Sequence, residues 1–120
     1  MISFVDIPYT TDASGAATVE TAHLGFGYVV KVFSEKGTTD ATLDLTISAL
    51  NDGSDAVDQI TAITDQTADT SVYPVQVGVD HLGAAATGWF TRKMIHGKIR
   101  VVVAQGGNAK TGLVRVYIER

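Results

Sequence analysis

Residues 41–49 of the chain read ATLDLTISA, and they alternate strictly between apolar and polar side chains. Leu43, Leu45 and Ile47 point to one side of an extended chain, and the polar residues between them point to the other. This period of two is typical of a β-strand with one buried face. Asn51-Asp52-Gly53 follows at once and favours a turn, because Asn and Gly tolerate a positive φ. The stretch therefore predicts a strand that packs against a second layer.

The same alternation recurs near the C-terminus, where residues 98–103 and residues 114–119 each predict a strand. Glycine-rich residues 105–110 separate the two runs. We therefore expect residues 98–119 to form a β-hairpin.

Four more strands are expected upstream, over residues 2–7, 16–21, 28–33 and 72–77. Pro8 cannot donate a ladder hydrogen bond, so the first of these strands should lie at a sheet edge or end there. Residues 28–33 are apolar except for Lys31, which predicts a central strand buried on much of both faces.

Two segments are harder to interpret. Val57, Ile60 and Ile63 have a spacing of three that suits a helical turn capped by Ser54 or Asp55. The β-branched residues between them favour a strand instead, which is the interpretation we prefer. Residues 78–97 read as a long loop, with a short helical turn at residues 81–86 and with Trp89 and Phe90 as its anchor. Loops of this length are uncommon in compact domains unless they are functional.

Seven to eight short antiparallel strands with at most one helical turn predict an all-β fold, a β-sandwich or jelly-roll-like architecture. Two facing sheets bury the apolar side of each strand, whereas one sheet alone would leave that side exposed. The chain of 120 residues, 45% of them hydrophobic, is expected to form a single domain over residues 1–120.

Composition excludes several classes of protein. The chain has no Cys, which excludes disulfide scaffolds, cysteine-ligated zinc fingers and thiol catalysis. Apolar runs stay well short of the ~18 residues of a membrane span. Residues 1–6, MISFVD, lack a basic region, so we expect no signal peptide and no membrane partner.

No motif demands catalytic chemistry. Residues 106–111, GGNAKT, have Ala109 where a phosphate-binding loop needs Gly, and a strand follows instead of a helix. Residues 51–55 lack the ligand spacing of a calcium loop and favour a plain turn. His23, His81 and His96 have no metal-ligand spacing. We expect no enzyme activity, no cofactor, no metal and no catalytic residue.

Charge is unevenly distributed along the chain, whose net charge is -4. Residues 37–80 contain eight acids and no base, whereas residues 81–120 contain seven bases and one acid. The asymmetry either reflects uneven solubilising charge or provides complementary acidic and basic faces. The bases are sparse and lack interleaved aromatic residues, so we expect no nucleic-acid partner.

Two segments carry a resemblance to a known family. Residues 10–18, TTDASGAAT, and residues 98–112, KIRVVVAQGGNAKTG, resemble the opening and the C-terminal segment of small β-rich virion proteins of tailed bacteriophages and prophages. The resemblance implies a location in the virion, assembled in the host cytoplasm. Within that setting, a compact β-sandwich that attaches in many copies through weak, repeated contacts favours the role of a capsid decoration (head auxiliary) protein. This role implies the major capsid protein as partner and a homo-oligomer, with a trimer favoured.

In that setting we expect the contacts to involve the segment with Trp89 and Phe90, the bases Arg92 and Lys93, and Ile2 and Phe4 of the N-terminal strand. Two alternatives remain open. The first is a neck, collar or tail ring protein, and the second is a glycan-binding host-attachment module. An aromatic platform of Tyr9, Tyr73, Trp89 and Phe90 would serve the second alternative.

Overall fold

A computed structural model describes residues 1–52, 58–79, 82 and 84–120, and the side chains at positions 77–79 and 85–89 lie outside that description. Ten strands form the described part of the chain. They are β1 Ile2–Thr10, β2 Ala17–Glu20, β3 Phe26–Glu35, β4 Leu43–Asn51, β5 Asp58–Gln66, β6 Thr70–Val72, β7 Val75–Val79, β8 Ala85–Arg92, β9 Met94–Ala104 and β10 Thr111–Glu119. Among these residues there is no helix, and hence none that could span a membrane.

Eight of the strands belong to one antiparallel sheet that folds into two layers. Layer A has the order β1-β10-β3, and β6 pairs with the far end of β3. Layer B has the order β2-β9-β4-β5. The start of β3 pairs with the start of β9 and joins the layers, while β7 and β8 form a separate two-stranded sheet. The predicted all-β, sandwich-like fold is confirmed.

The core between the layers is almost wholly aliphatic. Layer A contributes Ile7, Tyr9, Val29, Val32, Val114, Val116 and Ile118, and layer B contributes Leu43, Leu45, Ile47, Ala49, Ile60, Ile63, Ile95, Ile99, Val101 and Val103. The three residues predicted to point inward from residues 41–49 are at most 1% exposed, as the alternation requires. Branched aliphatic side chains pack well on a pleated surface, so two such faces make a dense core.

The strand preferred for residues 57–63 is confirmed by β5, although Val57 itself and the proposed cap residues Ser54 and Asp55 lie outside the described residues. The register against β4 shifts near Ile60, which marks a β-bulge. A bulge inserts one extra residue and so reverses which side the next side chain faces. Ile60 and Ile63 therefore both reach the core despite their spacing of three.

The predicted hairpin of residues 98–119 is wrong. Both of its strands exist, but β9 pairs with β2 and β4 in layer B, whereas β10 pairs with β1 and β3 in layer A. Residues 105–110 thus cross from one layer to the other. Val103 of layer B and Val114 of layer A therefore point toward each other from opposite sides of the core. In a flat hairpin both residues would lie in the same layer. Alternation predicts a strand and its buried face, but it contains no information on the strand's neighbour.

Hydrogen bonds join the crossing segment, residues 105–110, to the connection between β1 and β2. The Thr11 N–H donates to the Lys110 carbonyl (2.8 Å), and the Lys110 N–H donates to Thr11 Oγ1 (2.9 Å). The Gly106 N–H donates to the carbonyl of Gly15 (3.0 Å). Gly15 has φ 83°, and a Cβ there would lie 2.9 Å from the backbone nitrogens of Gly106 and Gly107. Only glycine fits at that position.

The corner so formed consists of residues 11–16 and 105–110, and Asp12 organises its first half. Asp12 Oδ1 accepts hydrogen bonds from the Ser14 N–H (2.9 Å), the Ser14 hydroxyl (2.7 Å) and the Ala16 N–H (3.0 Å). These bonds, the one from Ala16 above all, lower the pKa of Asp12 below its ordinary 3.8. Residues 11–16 and residues 105–110, which are far apart in the sequence, are thus in direct contact.

Residues 78–97 are not the long loop expected from the sequence, because most of them belong to β7, β8 and the start of β9. Small Ala and Gly residues give no alternation, so the strand signal is weak there. The helical turn expected at residues 81–86 falls partly on His81 and Gly83, which lie outside the described residues, and Ala85 and Ala86 begin β8.

Two expectations about individual strands meet different outcomes. β1 is an edge strand of layer A, as Pro8 predicts, and it continues through Pro8 to Thr10. Met1 and Thr11 both form backbone hydrogen bonds at the β10 side of the chain, so every second residue between them faces β10. Pro8 is not one of these residues. Its backbone faces the open edge of the sheet, where no N–H donor is needed. β3 is central, but it is buried on one side only, since Lys31 and its neighbours on the outer side are partly exposed.

Candidate functional site

The aromatic residues of the two layers avoid the core. The strands of layer B contain no Phe, Tyr or Trp, whereas β1, β3 and β10 contain six. Only Tyr9 of the six is buried in the core. The other five lie on the outer side of layer A, and they are Phe4, Phe26, Tyr28, Phe33 and Tyr117. We call this outer surface, with Ile2, Asp6, Lys31, Arg115 and Glu119 on the same strands and Tyr73 beside β3, face A.

The first row of face A runs across three strands. Phe4 of β1 lies opposite Tyr117 of β10, which lies opposite Lys31 of β3. Directly opposite residues in antiparallel strands are close enough for their side chains to touch. The Phe4 and Tyr117 ring centroids are 5.9 Å apart with the rings tilted at 50°.

Lys31 lies in the middle of an aromatic cluster. Its Nζ is 5.5 Å from the ring centroid of Tyr117, 5.8 Å from that of Tyr73 and 6.0 Å from that of Phe33. These distances are in the range of cation–π attraction. The three rings remove part of the water around the ammonium group without accepting its hydrogen bonds as oxygen atoms would.

The second row holds a bidentate ion pair. Arg115 donates from Nε and Nη2 to the two carboxylate oxygens of Asp6, at 2.6 and 3.0 Å, and its Cζ lies 4.3 Å from the ring centroid of Phe4. The hydrogen bond from Arg115 lowers the pKa of the Asp6 carboxyl, and the same bond raises the pKa of Arg115. Asp6 and Arg115 thus neutralise each other on the surface.

The third row joins β1, β10 and β3 at the other end of face A. Ile2 pairs with Glu119, and Glu119 pairs with Tyr28. Arg92 from β8 forms an ion pair with the Glu119 carboxylate. Tyr28 also makes an edge-to-face contact with Phe26, with ring centroids 5.5 Å apart.

The contact residues predicted from the sequence fall on different surfaces. Ile2 and Phe4 lie on face A, where each is more than half exposed, and Arg92 reaches the same face through Glu119. Phe90 is 65% exposed on β8, and Trp89 lies in β8 with a side chain outside the described part of the structure. Their role in contacts stays a prediction.

Lys93 does not share a patch with Arg92. It lines a recess of about 220 Å³ together with Asn51, Asp58, Gln59 and Gln76. The recess is smaller than the ~300 Å³ at which ligand pockets usually begin.

One of the four residues predicted to form an aromatic platform for glycan binding, Tyr9, does not lie on the surface. Tyr9 is 3% exposed, and its hydroxyl packs against Gly112, so no ligand can stack on its ring. Tyr9 faces inward because it is in phase with Ile7 on β1. Tyr73 is 64% exposed and remains available.

Face B, the outer surface of layer B, is different in character. Thr18, Val102 and Thr46 form one row, and Glu20 and Arg100 lie in the next row beside Ser48, which is itself buried. Arg100 and Glu20 are an ion pair with Nη2 and Oε2 2.9 Å apart. A surface of short polar side chains and neutralised charges has little apolar area to bury, so face B resembles ordinary solvent-facing surface.

Three of the four arginines of the basic C-terminal segment form ion pairs within the chain. Arg92, Arg100 and Arg115 contact Glu119, Glu20 and Asp6, none of which belongs to the acidic residues 37–80. The complementary acidic and basic faces inferred from the charge distribution are therefore partly neutralised within the chain.

The histidines do not converge in the described part of the chain. His23 Nε2 contacts Asp52 Oδ2 at 2.6 Å, while its Nδ1 accepts the Gly25 N–H (3.2 Å). His96 lies in β9 opposite Phe26, and His81 lies outside the described residues. No group of three potential metal ligands occurs among the residues described.

Sequence reasoning identified Ile2 and Phe4 of face A but missed the aromatic row around Lys31, although a signal was present. In β1, β3 and β10 every aromatic residue except Tyr9 is out of phase with the buried aliphatic ones, as Phe4 is with Ile7 and Tyr117 with Val116. An aromatic residue in a strand is ordinarily attributed to the core, so the phase was not used. The aromatic cluster around Lys31 also depends on which strands are neighbours in the sheet, and the alternation of apolar and polar residues contains no information on that.

Comparisons with known proteins give a limited result. No family model and no curated protein matches the chain. Among solved structures it is similar to a chain in the structure of infectious bursal disease virus Gt strain, with TM-score 0.41 and 12% identity, covering 99% of this chain and 33% of that one. For the Gx strain of the same virus the TM-score is 0.35 and the identity 11%, covering 99% and 36%. The chain thus spans about a third of the length of the viral chains it matches, and TM-scores below 0.5 determine neither fold nor function.

Proposed function

We propose that this chain is a bacteriophage virion structural protein, a capsid decoration protein that attaches to the outer capsid lattice through face A. The observation that carries the proposal is the one-sided distribution of aromatic residues, with five on face A and none in the strands of layer B. Aromatic side chains and arginines are the residue types enriched in the centres of protein interfaces. The resemblance of residues 10–18 and 98–112 to phage virion proteins supports the setting.

The size of the apolar surface fits weak, repeated attachment. Ile2, Phe4, Phe26, Tyr28 and Tyr73 are 43–64% exposed. Their exposed area is roughly 500 Å², within the range of the largest apolar patch on a typical monomer. A stable interface commonly buries about 800 Å² on each partner. Attachment at many lattice positions would add avidity to a modest contact of this size.

The partner in this proposal is the major capsid protein, and the chain assembles on the lattice as a homo-oligomer, with a trimer favoured. The chain performs no enzymatic step and uses no cofactor or metal. Its place in the cell is the virion, assembled in the host cytoplasm. The contribution of the ion pairs on face A is to fix the orientation of the aromatic rings, since Arg115 packs on Phe4 while it binds Asp6.

Gel densitometry of purified virions tests this proposal. A decoration protein is expected at on the order of hundreds of copies per virion, because it follows the capsid lattice, whereas a neck, collar or tail ring has about five to twelve. Hundreds of copies support decoration. A ring-like count would replace it by the ring function, and absence from the virion would reject both.

A glycan-binding host-attachment role is the second candidate, and the exposure of Tyr73 and Phe90 favours it. Trp89 is the only Trp, so its fluorescence provides the readout. Quenching by cell-surface polysaccharides that is lost in Tyr73→Ala would support this role. A flat titration would count against it.

A further inference from the structure

Lys31 differs from the other cations of face A. Arg115 and Arg92 each contact a carboxylate, Asp6 and Glu119. Within the described residues, no carboxylate lies within ion-pair distance of Lys31, and its ammonium group contacts three aromatic rings. Water therefore completes the hydrogen bonding of its ammonium group on the open surface.

Burial of face A changes this balance. A partner that covers Phe4, Tyr73 and Tyr117 also covers the ammonium group between them, and it removes the water. A buried cation without a counter-charge is strongly unfavourable, whereas a buried ion pair with satisfied hydrogen bonds is tolerated. Face A can therefore be covered only by a surface that supplies an acceptor for Lys31, and a carboxylate also supplies the opposite charge.

We infer that the protein that binds face A presents an aspartate or glutamate carboxylate, surrounded by apolar atoms, that pairs with Lys31. This inference rests on the proposed function and adds the chemistry of the partner surface. The apolar surround follows from the rings at 5.5 to 6.0 Å from Lys31 Nζ. The charge follows from the lysine, so the two surfaces are complementary in both respects.

The test measures binding of the purified chain to phage heads assembled without it. Lys31→Met keeps the apolar stem and removes the charge, so the partner carboxylate would be buried unpaired. Affinity is then expected to fall about 30-fold or more, and Lys31→Glu is expected to abolish binding. Lys31→Arg restores the charge and should stay within about fivefold of wild type.

Lys98→Met is the matched control, because Lys98 is an exposed lysine on layer B. It changes the net charge by the same amount and should leave affinity unchanged. Raising the salt concentration should weaken wild-type binding more than binding of Lys31→Met, because only the former includes the ion pair. Thermal unfolding of each variant verifies that the fold is intact.

The outcomes separate the inference from the function. Equal binding of wild type and Lys31→Met, or equal loss in Lys98→Met, overturns the inference while the decoration role stands. Failure of the wild type to bind heads overturns both. A dimer of the free chain that Lys31→Met or Glu35→Gln dissociates also overturns the inference, because the carboxylate would then belong to a second copy.

Discussion

Gly97 shows how a single hydrogen atom in place of a side chain permits the pairing of β4 and β9. It lies opposite Asn51, and a Cβ at this position would overlap the carbonyl oxygen of Leu50. That oxygen belongs to the backbone of a paired strand, so neither partner can move without disrupting the ladder. The sequence contains the glycine but gives no indication of the close approach.

Gly97→Ala is therefore expected to destabilise the fold by about 3 kcal/mol, in the upper range for overpacking a dense interior. Thermal unfolding should show a fall in Tm of roughly 10 °C for a chain of this size. Gly25→Ala is the matched control, because the same methyl group there meets no atom within 4 Å. It carries only the strain of φ 77°, about 1–2 kcal/mol. Equal losses in the two variants would contradict the account.

The corner of residues 11–16 and 105–110 is the element that turns two strands into two layers. Thr11 and Lys110 bond to each other through backbone and side chain, so the β1–β2 and β9–β10 connections form one unit. The segments TTDASG (residues 10–15) and QGGNAK (residues 105–110) thus serve the fold directly. Their residue types could be identified as turns from the sequence, but their contact could not, because about 90 residues separate them.

Asp12→Asn tests the corner by its pH dependence. The folded state holds the pKa of Asp12 below 3.8, so its carboxylate contributes stability that is fully present above that value and is lost as pH falls through the folded pKa. The variant should unfold at lower urea than wild type at neutral pH. The gap should narrow as pH falls through the folded pKa of Asp12, because the wild-type carboxyl is then protonated as well.

Glu35→Gln is the control for this experiment, since it also removes one charge from an exposed side chain of layer A. The difference in urea stability between wild type and Glu35→Gln should not narrow in the same way as pH falls. A constant gap between wild type and Asp12→Asn at every pH would show that the carboxylate charge does not stabilise the corner.

Strands could be predicted from this sequence more completely than their neighbours. Alternation at Leu43, Leu45 and Ile47 gave the buried face of β4, and the fold class followed from several such runs. The supposed hairpin failed because β9 and β10 have the same pattern whether they pair or cross the core. The bulge at Ile60 made β5 ambiguous between a strand and a helical turn, and the small residues 83–88 concealed a strand, since neither segment preserves a period of two.

At the scale of the whole molecule, the two outer faces differ more than the two inner ones. Both inner faces are aliphatic, whereas face A carries aromatic rings around Lys31 and face B carries the threonine and ion-pair rows. Ile2 and Phe4 were identified as contact candidates from the sequence, but Tyr117 and Lys31 were not, because their proximity depends on β10 lying between β1 and β3. The function proposed above depends on this asymmetry.

Hydroxyl-radical footprinting of the chain, free in solution and bound to virions, tests the asymmetry most directly. We predict that oxidation of Phe4, Tyr28 and Tyr73 falls several-fold on binding, because the partner excludes water from face A. Val102, 39% exposed on face B, should be oxidised equally in both states. Protection of Val102 with Phe4, Tyr28 and Tyr73 unchanged would contradict the account, since the chain would then attach through the opposite face.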